Sequence, residues 1–282
     1  MVIHSNRWHR RILALRTRPV LVEHLVRAQR WRGRDIRIAV LSDFHVVGPY
    51  SSLQMMRRIG EAVMQMRPDM IVLAGDFLGD GAVRGRHANA RDIADAMCDL
   101  SAPGGVFAIL GNHDWKDCPL ARRTNYRENS VQHAFKGSNV TLLRNESQAV
   151  ELGGEVFNVV GFDSQRPVPR DMTRGLHDPE LAFSNIRPDR FTLLLAHEPD
   201  YFAQADYRAD LQISGHTHGG QLNLFGWRPI VPSKYGARFA HGHFQDGKRQ
   251  MVVSAGLGFS GVPMRIGQPA EVTMITLQSS SC

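Results

Sequence analysis

Five short apolar runs, each followed at once by Asp, Asn or His, most constrain what this chain can fold into. Runs this short and this rich in aliphatic and β-branched residues are typical of buried strands. Ligands bind outside the carboxyl ends of the strands in open α/β sheets, so the polar residues are expected at one rim of the fold. The runs and the residues that follow them are Ile36–Leu41 with Asp43 and His45, Met70–Ala74 with Asp76, Val106–Leu110 with Asn112, His113 and Asp114, Phe191–Ala196 with His197, and Leu211–Ser214 with His216 and His218.

The runs alternate with helical patterns in the first half of the chain. Leu53, Met56, Val63 and Met66 form one stripe at helical spacing, and a second helix is expected over Ala88–Leu100. This alternation predicts largely parallel strands with helices on their faces. A hairpin-rich second sheet is expected from three short runs, and two further strands close the chain, so the sequence predicts an α/β fold, a two-sheet β-sandwich flanked by helices, over residues 35–282. The three hairpin runs are Val140–Leu143, Ala149–Leu152 and Val156–Val160, and the closing strands are Met251–Ser254 and Val272–Leu277.

The formal net charge of +7 is concentrated in an N-terminal arm, residues 1–34. Between Arg7 and Arg34 the chain has nine Arg, no Lys and one acid, Glu23, and the rest is close to neutral. Leu21, Val22, Leu25 and Val26 predict a short helix after Pro19, which makes the arm a candidate for an anionic membrane surface. The alternatives are a helix packed on the domain and a partly disordered tail. No run suits a membrane span or a signal peptide, so the expected location is cytoplasmic, with peripheral attachment to the inner membrane left open.

The polar residues at the strand ends suit a metal centre. Imidazole nitrogens and carboxylate oxygens bind Zn, Fe and Mn, whereas the three cysteines are too widely spaced to form a thiolate site. Asp43 and His45 differ by two positions, as do His216 and His218, so on an extended strand each pair faces one side. The set is larger than one ion needs, which favours two divalent metals able to clamp a phosphoryl group, with Asp76 as a candidate bridge.

These motifs, in this order, resemble the calcineurin-like metallophosphoesterase superfamily. The resemblance rests on Asp43-x-His45, Gly75-Asp76, Gly111-Asn112-His113-Asp114, His197 and Gly215-His216-x-His218, and implies that family's four-layer architecture. The residues from Gly215 to Gly226, Gly256-Leu257-Gly258 and the segment ending at Arg265 look like a bacterial branch. That branch contains small phosphodiesterases and UDP-2,3-diacylglucosamine pyrophosphatases.

The resemblance also implies a role for each residue. One metal would be held by Asp43, His45, Asp76 and His218, and the other by Asp76, Asn112, His197 and His216. His113 would contact the phosphate and protonate the leaving oxygen, and Asp114 would orient it, as suits a His held by a carboxylate.

The expected function is hydrolysis of a phosphodiester or pyrophosphate, with a lipid-linked substrate preferred. Leu222, Leu224, Phe225, Trp227 and Ile230 are expected either to line an acyl groove or to pack in a core or dimer contact. A nuclease or another nucleotide phosphodiesterase is the alternative, although nucleic-acid binding is disfavoured by the near-neutral domain. A non-catalytic scaffold is disfavoured because the full ligand set and His113 are present.

Overall fold

A computed structural model describes residues 18–168 and 174–280 of the 282-residue chain. The strands, in chain order, are β1 (Val20–Ala28), β2 (Ile36–Leu41), β3 (Val47–Gly48), β4 (Met70–Leu73), β5 (Arg86–His87), β6 (Val106–Ala108), β7 (Val140–Leu142), β8 (Glu146–Leu152), β9 (Glu155–Gly161), β10 (Thr192–Leu195), β11 (Leu211–Ser214), β12 (Gly242–Asp246), β13 (Arg249–Val253) and β14 (Glu271–Ser279). The α-helices are α1 (Leu53–Gln65), α2 (Ala90–Asp95), α3 (Asn112–Lys116), α4 (Pro119–Arg123), α5 (Ser130–Phe135) and α6 (Pro179–Ala182), with short 3₁₀ turns at Pro199–Ala203, His218–Gly220 and Gly236–Phe239.

The strands form two six-stranded sheets and one small ribbon. The first sheet has the order β1-β14-β2-β4-β6-β7 and the second has the order β12-β13-β11-β10-β9-β8, while β3 pairs with β5. Strands β2, β4, β6 and β7 are parallel to one another, and so are β9, β10, β11 and β13. In both sheets the parallel strands therefore end together at one rim, which is where the polar motifs begin.

A dry core lies between the two sheets. It includes Val26, Ile38 and Val72 from the first sheet and Phe157 and Leu193 from the second, all fully buried. Near-continuous aliphatic strands are what a sheet covered on both faces requires. The predicted two-sheet α/β fold flanked by helices is confirmed.

Helices cover the outer face of the first sheet. The N-cap Ser52 accepts a hydrogen bond from the Met55 amide, and α1 buries Met56, Ile59 and Val63 against that sheet. The helix ends shortly before Pro68, as the sequence predicts. The second predicted helix is shorter than expected, because α2 ends at Asp95 and the chain continues in turns to Leu100.

The helix expected within the arm is wrong. Val20–Ala28 forms strand β1, which pairs in parallel with β14 over nine residues. Its side chains alternate, with Leu25 exposed and Val26 and Ala28 buried. The apolar spacing fitted a helix, but the free edge of β14 offers backbone partners that no local pattern reveals.

Two cations of the arm are engaged by the domain. Arg30 lies 3.3 Å from an Asp210 carboxylate oxygen, and Arg34 lies 2.7 Å from one of Asp69. Part of the charge assigned to a membrane surface thus has partners within the fold. Residues 1–17, which carry four of the nine Arg, lie outside the described residues.

The run Val140–Leu143 lies in a different sheet from the one that the sequence predicts. The sequence places this run in the second sheet, but β7 pairs with β6 at the edge of the first. Only β8 and β9 form the expected hairpin, turning at Gly153-Gly154. Within the described residues, no helix is both long enough and apolar enough to cross a bilayer.

Candidate metal centre

The nine site residues chosen from the sequence all lie at the rim where the parallel strands end, and all are buried. The first sheet contributes Asp43 and His45 after β2, Asp76 after β4, and Asn112, His113 and Asp114 on α3 after β6. The second sheet contributes His197 after β10 and His216 and His218 after β11. Two separate sheets therefore supply one cluster.

The backbone at this cluster is unusual. Asp43, His45, Asp76, His216 and His218 all have positive φ, between 40° and 71°. Such conformations cost L-residues about 1–3 kcal/mol each and persist where the surrounding fold over-determines them. The prediction that Asp43 and His45 share a face of an extended strand is therefore wrong, because the chain leaves β2 at Leu41 and curls. The side chains nevertheless converge.

The tight curl needs glycine beside it. Gly256 has φ +69°, and a Cβ there would lie 2.6 Å from the Cβ of Asp43. Any side chain at this position would push Asp43 out of the cluster.

The first group of potential ligands consists of Asp43, His45 and His218, whose ligand atoms lie within 4.8 Å of one another. The Nε2 atoms of His45 and His218 are 3.1 Å apart, and Asp43 Oδ1 is 3.4 Å from His218 Nε2. The His45 Nδ1 atom lies 3.2 Å from the Leu78 carbonyl oxygen, to which it donates its proton. This fixes the tautomer in which Nε2 presents a lone pair to the cluster.

The second group consists of Asp76, His197 and His216. His197 donates Nδ1–H to the Ala74 carbonyl at 2.6 Å, and its Nε2 lies 3.2 Å from Asp76 Oδ2. Asn112 joins this group through Oδ1, 2.7 Å from His216 Nδ1. Among the described residues, His197 Nε2 is a buried nitrogen without a hydrogen bond of acceptable geometry.

Asp76 lies between the two groups. Its Oδ2 is 3.4 Å from His45 Nε2 in the first group and 3.2 Å from His197 Nε2 in the second. A carboxylate in that position can serve a cation on either side. Its Oδ1 accepts the His113 amide at 2.7 Å, which fixes the rotamer.

The pKa shifts in the cluster show how its buried side chains share their protons. Burial lowers the pKa of His45 to about 3 and holds those of His216 and His218 well below the ordinary value. Burial raises the pKa of Asp43 to about 6, and the neighbouring Asp76 carboxylate adds to that effect. Burial also lowers the pKa of His197, but Asp76 and Asp43 outweigh it and hold this pKa well above its ordinary value. Three imidazoles are therefore neutral, while His197 keeps a proton between two carboxylates, and a divalent cation can take the place of that proton.

His113 is held by the carboxylate of Asp117, which is not among the site residues predicted from the sequence. Its Nδ1 is 2.7 Å from Asp117 Oδ2 and 3.8 Å from Asp80 Oδ1. The Asp114 carboxylate instead accepts backbone N–H groups of Asp76, Phe77, Leu78 and Gly111, at 2.8–2.9 Å. The expectation that Asp114 orients His113 is thus wrong in its choice of carboxylate, since Asp114 fastens the Asp76 loop to α3. The feature of the sequence that could have identified Asp117 is its position four residues, or one helical turn, after His113.

Arg265 closes the cluster from behind. It is 1% exposed, and its guanidinium donates to the carbonyls of Gly258, Ala255 and His218 at 2.7–3.2 Å. Burial lowers its pKa to about 10. The sequence pattern around Arg265 pointed to a family branch but gave no hint of this role.

The apolar residues expected near the site do not form a core. Leu224, Phe225, Trp227 and Ile230 are all exposed and Leu222 is half-buried, in a loop that begins four residues after His218.

Buried His and Asp side chains at the shared rim of two stacked sheets are typical of a metal-dependent phosphoesterase. The family model for calcineurin-like phosphoesterase matches residues 36–220, and the chain belongs to this family. It is 30% identical to the uncharacterized metallophosphoesterase YkuE of Bacillus subtilis, over 87% of this chain and 80% of that protein.

Two further relatives have more specific names. Identity is 27% to the phosphodiesterase YaeI of Escherichia coli, over 91% of this chain and 87% of that protein. It is also 27% to the UDP-2,3-diacylglucosamine pyrophosphatase LpxG of Chlamydia muridarum, over 67% of this chain and 65% of that protein. The resemblance inferred from the motifs is confirmed, and so is the assignment as a metal-dependent phosphoric ester hydrolase.

Proposed function

We propose that this chain hydrolyses a phosphodiester or pyrophosphate bond with two divalent metal ions bound at the shared rim. The observation that supports this most strongly is the position of Asp76, within 3.4 Å of a His in each group. One ion would be held by Asp43, His45, Asp76 and His218, and the other by Asp76, Asn112, His197 and His216.

The donor set fits Mn, Zn or Fe, since imidazole and carboxylate dominate it and no thiol takes part. Ions bound there would polarise phosphoryl oxygens and bring the pKa of water toward neutrality. The protein contributes a rigid, buried frame: tautomers fixed by backbone carbonyls for His45 and His197, and the Asp76 loop fixed by Asp114.

His113 is the proposed general acid. Its Nδ1 is engaged by Asp117, so Nε2 is the nitrogen left to contact substrate and to protonate the leaving oxygen. Its ring packs edge-on against that of His45, with centroids 4.6 Å apart, which places it beside the ligand cluster.

Two variants separate metal binding from proton transfer. Asp76→Asn should lower both the bound metal, measured by elemental analysis, and turnover of bis-p-nitrophenyl phosphate in the presence of Mn. His113→Ala should keep the metal and lose about 10²–10⁴-fold in turnover of a diester with an alkyl leaving group, which needs a proton to depart, and much less in turnover of bis-p-nitrophenyl phosphate. Asp99→Asn, at an exposed carboxylate, is the control and should match the parent protein. Full metal content and full activity in Asp76→Asn would refute the two-ion site.

A lipid-linked substrate is the preferred proposal within this class. It is supported by the likeness to a relative named as a UDP-2,3-diacylglucosamine pyrophosphatase and by the exposed apolar loop next to the site. Turnover should be compared on UDP-2,3-diacylglucosamine, bis-p-nitrophenyl phosphate and p-nitrophenyl phosphate. Fast cleavage of the lipid nucleotide is expected, and cleavage of the model diester alone would reject the lipid substrate while keeping the hydrolase.

A further inference from the structure

The loop over residues 222–235, here called the rim loop, concentrates exposed apolar surface. Among the described residues, eight large hydrophobic side chains are exposed, and six of them lie in this loop or at Val262 beside it. Phe225 is fully exposed, while Trp227 and Ile230 are 65% and 68% exposed. Clustered exposure of this kind marks a contact surface, whereas single exposed residues do not.

The tip of the loop is built to present its aromatic residues. Leu224 and Trp227 exchange backbone hydrogen bonds at 2.8 and 3.1 Å, which makes a tight two-residue turn. Phe225 and Gly226 occupy that turn with φ of 54° and 99°. A left-handed backbone strains a Phe residue, and an exposed phenyl ring loses the free energy that its burial would supply. Both costs indicate that the ring is buried against an external apolar partner.

Both ends of the loop are fixed to the metal centre's surroundings. Gln221 donates to the carbonyls of Ser260 and Val262 at 2.9 Å, and Asp80 accepts from Ser260 Oγ at 2.8 Å. At the other end, the Asp200 carboxylate accepts from Ser233 Oγ at 2.5 Å and from the Lys234 amide at 3.1 Å. The tip is thus carried on a fixed base that begins beside His218.

The charged side chains of the segment that carries the tip are all of one sign. Residues 219–245 contain Arg228, Lys234 and Arg238 and no Asp or Glu. Lys234 and Arg238 are exposed, and neither forms an ion pair within the part of the chain that the structure describes. Aromatic residues at the tip with cations behind them match a bilayer surface, where rings enter the headgroup layer and cations meet anionic lipid.

We propose that the rim loop docks on an anionic lipid bilayer and holds the metal centre against the headgroups. The proposal goes beyond hydrolysis, because a variant without turnover would dock in the same way. A protruding single turn is also poorly suited to a protein interface, whose core is a broad packed area. The lipid bilayer is therefore the favoured occupant over a second copy of the chain.

Sedimentation with vesicles tests the docking. The full-length protein should co-sediment with vesicles of phosphatidylcholine and phosphatidylglycerol, and less with phosphatidylcholine alone. The double variant Phe225→Ser, Trp227→Ser should bind about tenfold more weakly or worse. Leu181→Ser, at a 57% exposed residue on α6, is the matched control and should bind as the parent does. Thermal unfolding and metal content verify that each variant is folded, without reference to turnover.

Fluorescence locates the contact. In a Trp8→Phe background, Trp227 is the exposed indole, because Trp31 and Trp115 are both 0% exposed. Vesicles should shift its emission to the blue, and brominated acyl chains should quench it. Equal sedimentation of the parent and the double variant, or unshifted Trp227 emission, would overturn the proposal. So would a dimer in analytical ultracentrifugation that the double variant abolishes, since a second copy would then be the occupant.

Discussion

The imidazole of His113 lies between two carboxylates at unequal distances. Asp117 Oδ2 is 2.7 Å from Nδ1, whereas Asp80 Oδ1 is 3.8 Å away, and the other oxygen of Asp80, Oδ2, accepts hydrogen bonds from Ser260 and Gly261. The nearer carboxylate fixes the proton on Nδ1 and the plane of the ring. Asp117 is therefore the positioning residue for the proposed general acid.

Asp117→Ala should impair proton delivery and leave the metals bound. The loss should depend on the leaving group: about tenfold or more for a diester with an alkyl leaving group, and much less for bis-p-nitrophenyl phosphate, whose leaving group departs as a stable anion. Steady-state kinetics on both substrates measure the difference between the two losses. Each loss should appear in kcat more than in KM. Asp117→Asn, which keeps an acceptor oxygen, should fall between Ala and the parent.

The control for this prediction is Asp99→Ala, at an exposed carboxylate away from the site. Equal losses on both diesters would show that Asp117 only supports the fold. No loss on either would remove it from the proton path.

Residue types at the site could be predicted, but their contacts could not. Asp, Asn and His after five strands pointed to a metal centre, and the family match bears out that chemistry. The choice between Asp114 and Asp117 needed the geometry of α3, a helix of five residues whose Asp114 faces back onto the Asp76 loop. The positive φ of Asp43 and His45 was also invisible, because tertiary contacts and not local preference impose it.

The segment between β13 and β14 is the element that holds the cluster from behind. Arg265 reaches across it to the carbonyls of Ala255 and Gly258, and also to the carbonyl of His218. Buried carbonyls that lose such a charged donor stay unsatisfied, because water cannot replace it.

Arg265→Met should lower the free energy of unfolding by about 3 kcal/mol, from several buried acceptors left without donors. Urea denaturation monitored by circular dichroism measures the change. Arg265→Lys should recover only part of it, since one ammonium cannot copy the planar fork. Arg91→Met, at a side chain that is 77% exposed on α2, is the control and should unfold like the parent. An Arg265→Met protein as stable as this control would show that the hydrogen bonds from Arg265 to the buried carbonyls do not stabilise the fold.

Elements with strong internal patterns were predicted well, and edge elements were not. Strands β2, β4, β10 and β11 are continuous aliphatic runs, and α1 has a cap and a clear stripe. The two strands that the sequence misassigned, β1 and β7, both lie at the edges of the first sheet. An edge strand pairs on one side only, and its remaining backbone hydrogen-bonding groups face water. Its position depends largely on the neighbour it pairs with, so its own sequence says less about where it lies.

At the scale of the whole molecule, the metal centre joins the two sheets. Asp43, His45, Asp76 and Asn112 follow strands of the first sheet, while His197, His216 and His218 follow strands of the second. In the absence of cations, buried carboxylates and imidazoles are crowded at this junction, and the raised pKa of Asp43, about 6 through burial, reflects that crowding. Ions bound there would offset the repulsion and cross-link both halves of the sandwich.

Removing the metals should therefore destabilise the whole domain, not only stop turnover. Ligands that bind only the folded state stabilise it by about 2.7 kcal/mol at ~100 times Kd, so chelation should lower Tm by about 5–10 °C in a domain of this size. Differential scanning calorimetry with Mn and with EDTA measures the shift, and both sheets should unfold in one transition. Asp76→Asn should show a much smaller shift, because the carboxylate shared by both groups is gone. Identical Tm values for the parent protein with Mn and with EDTA would show that the ions do not link the sheets.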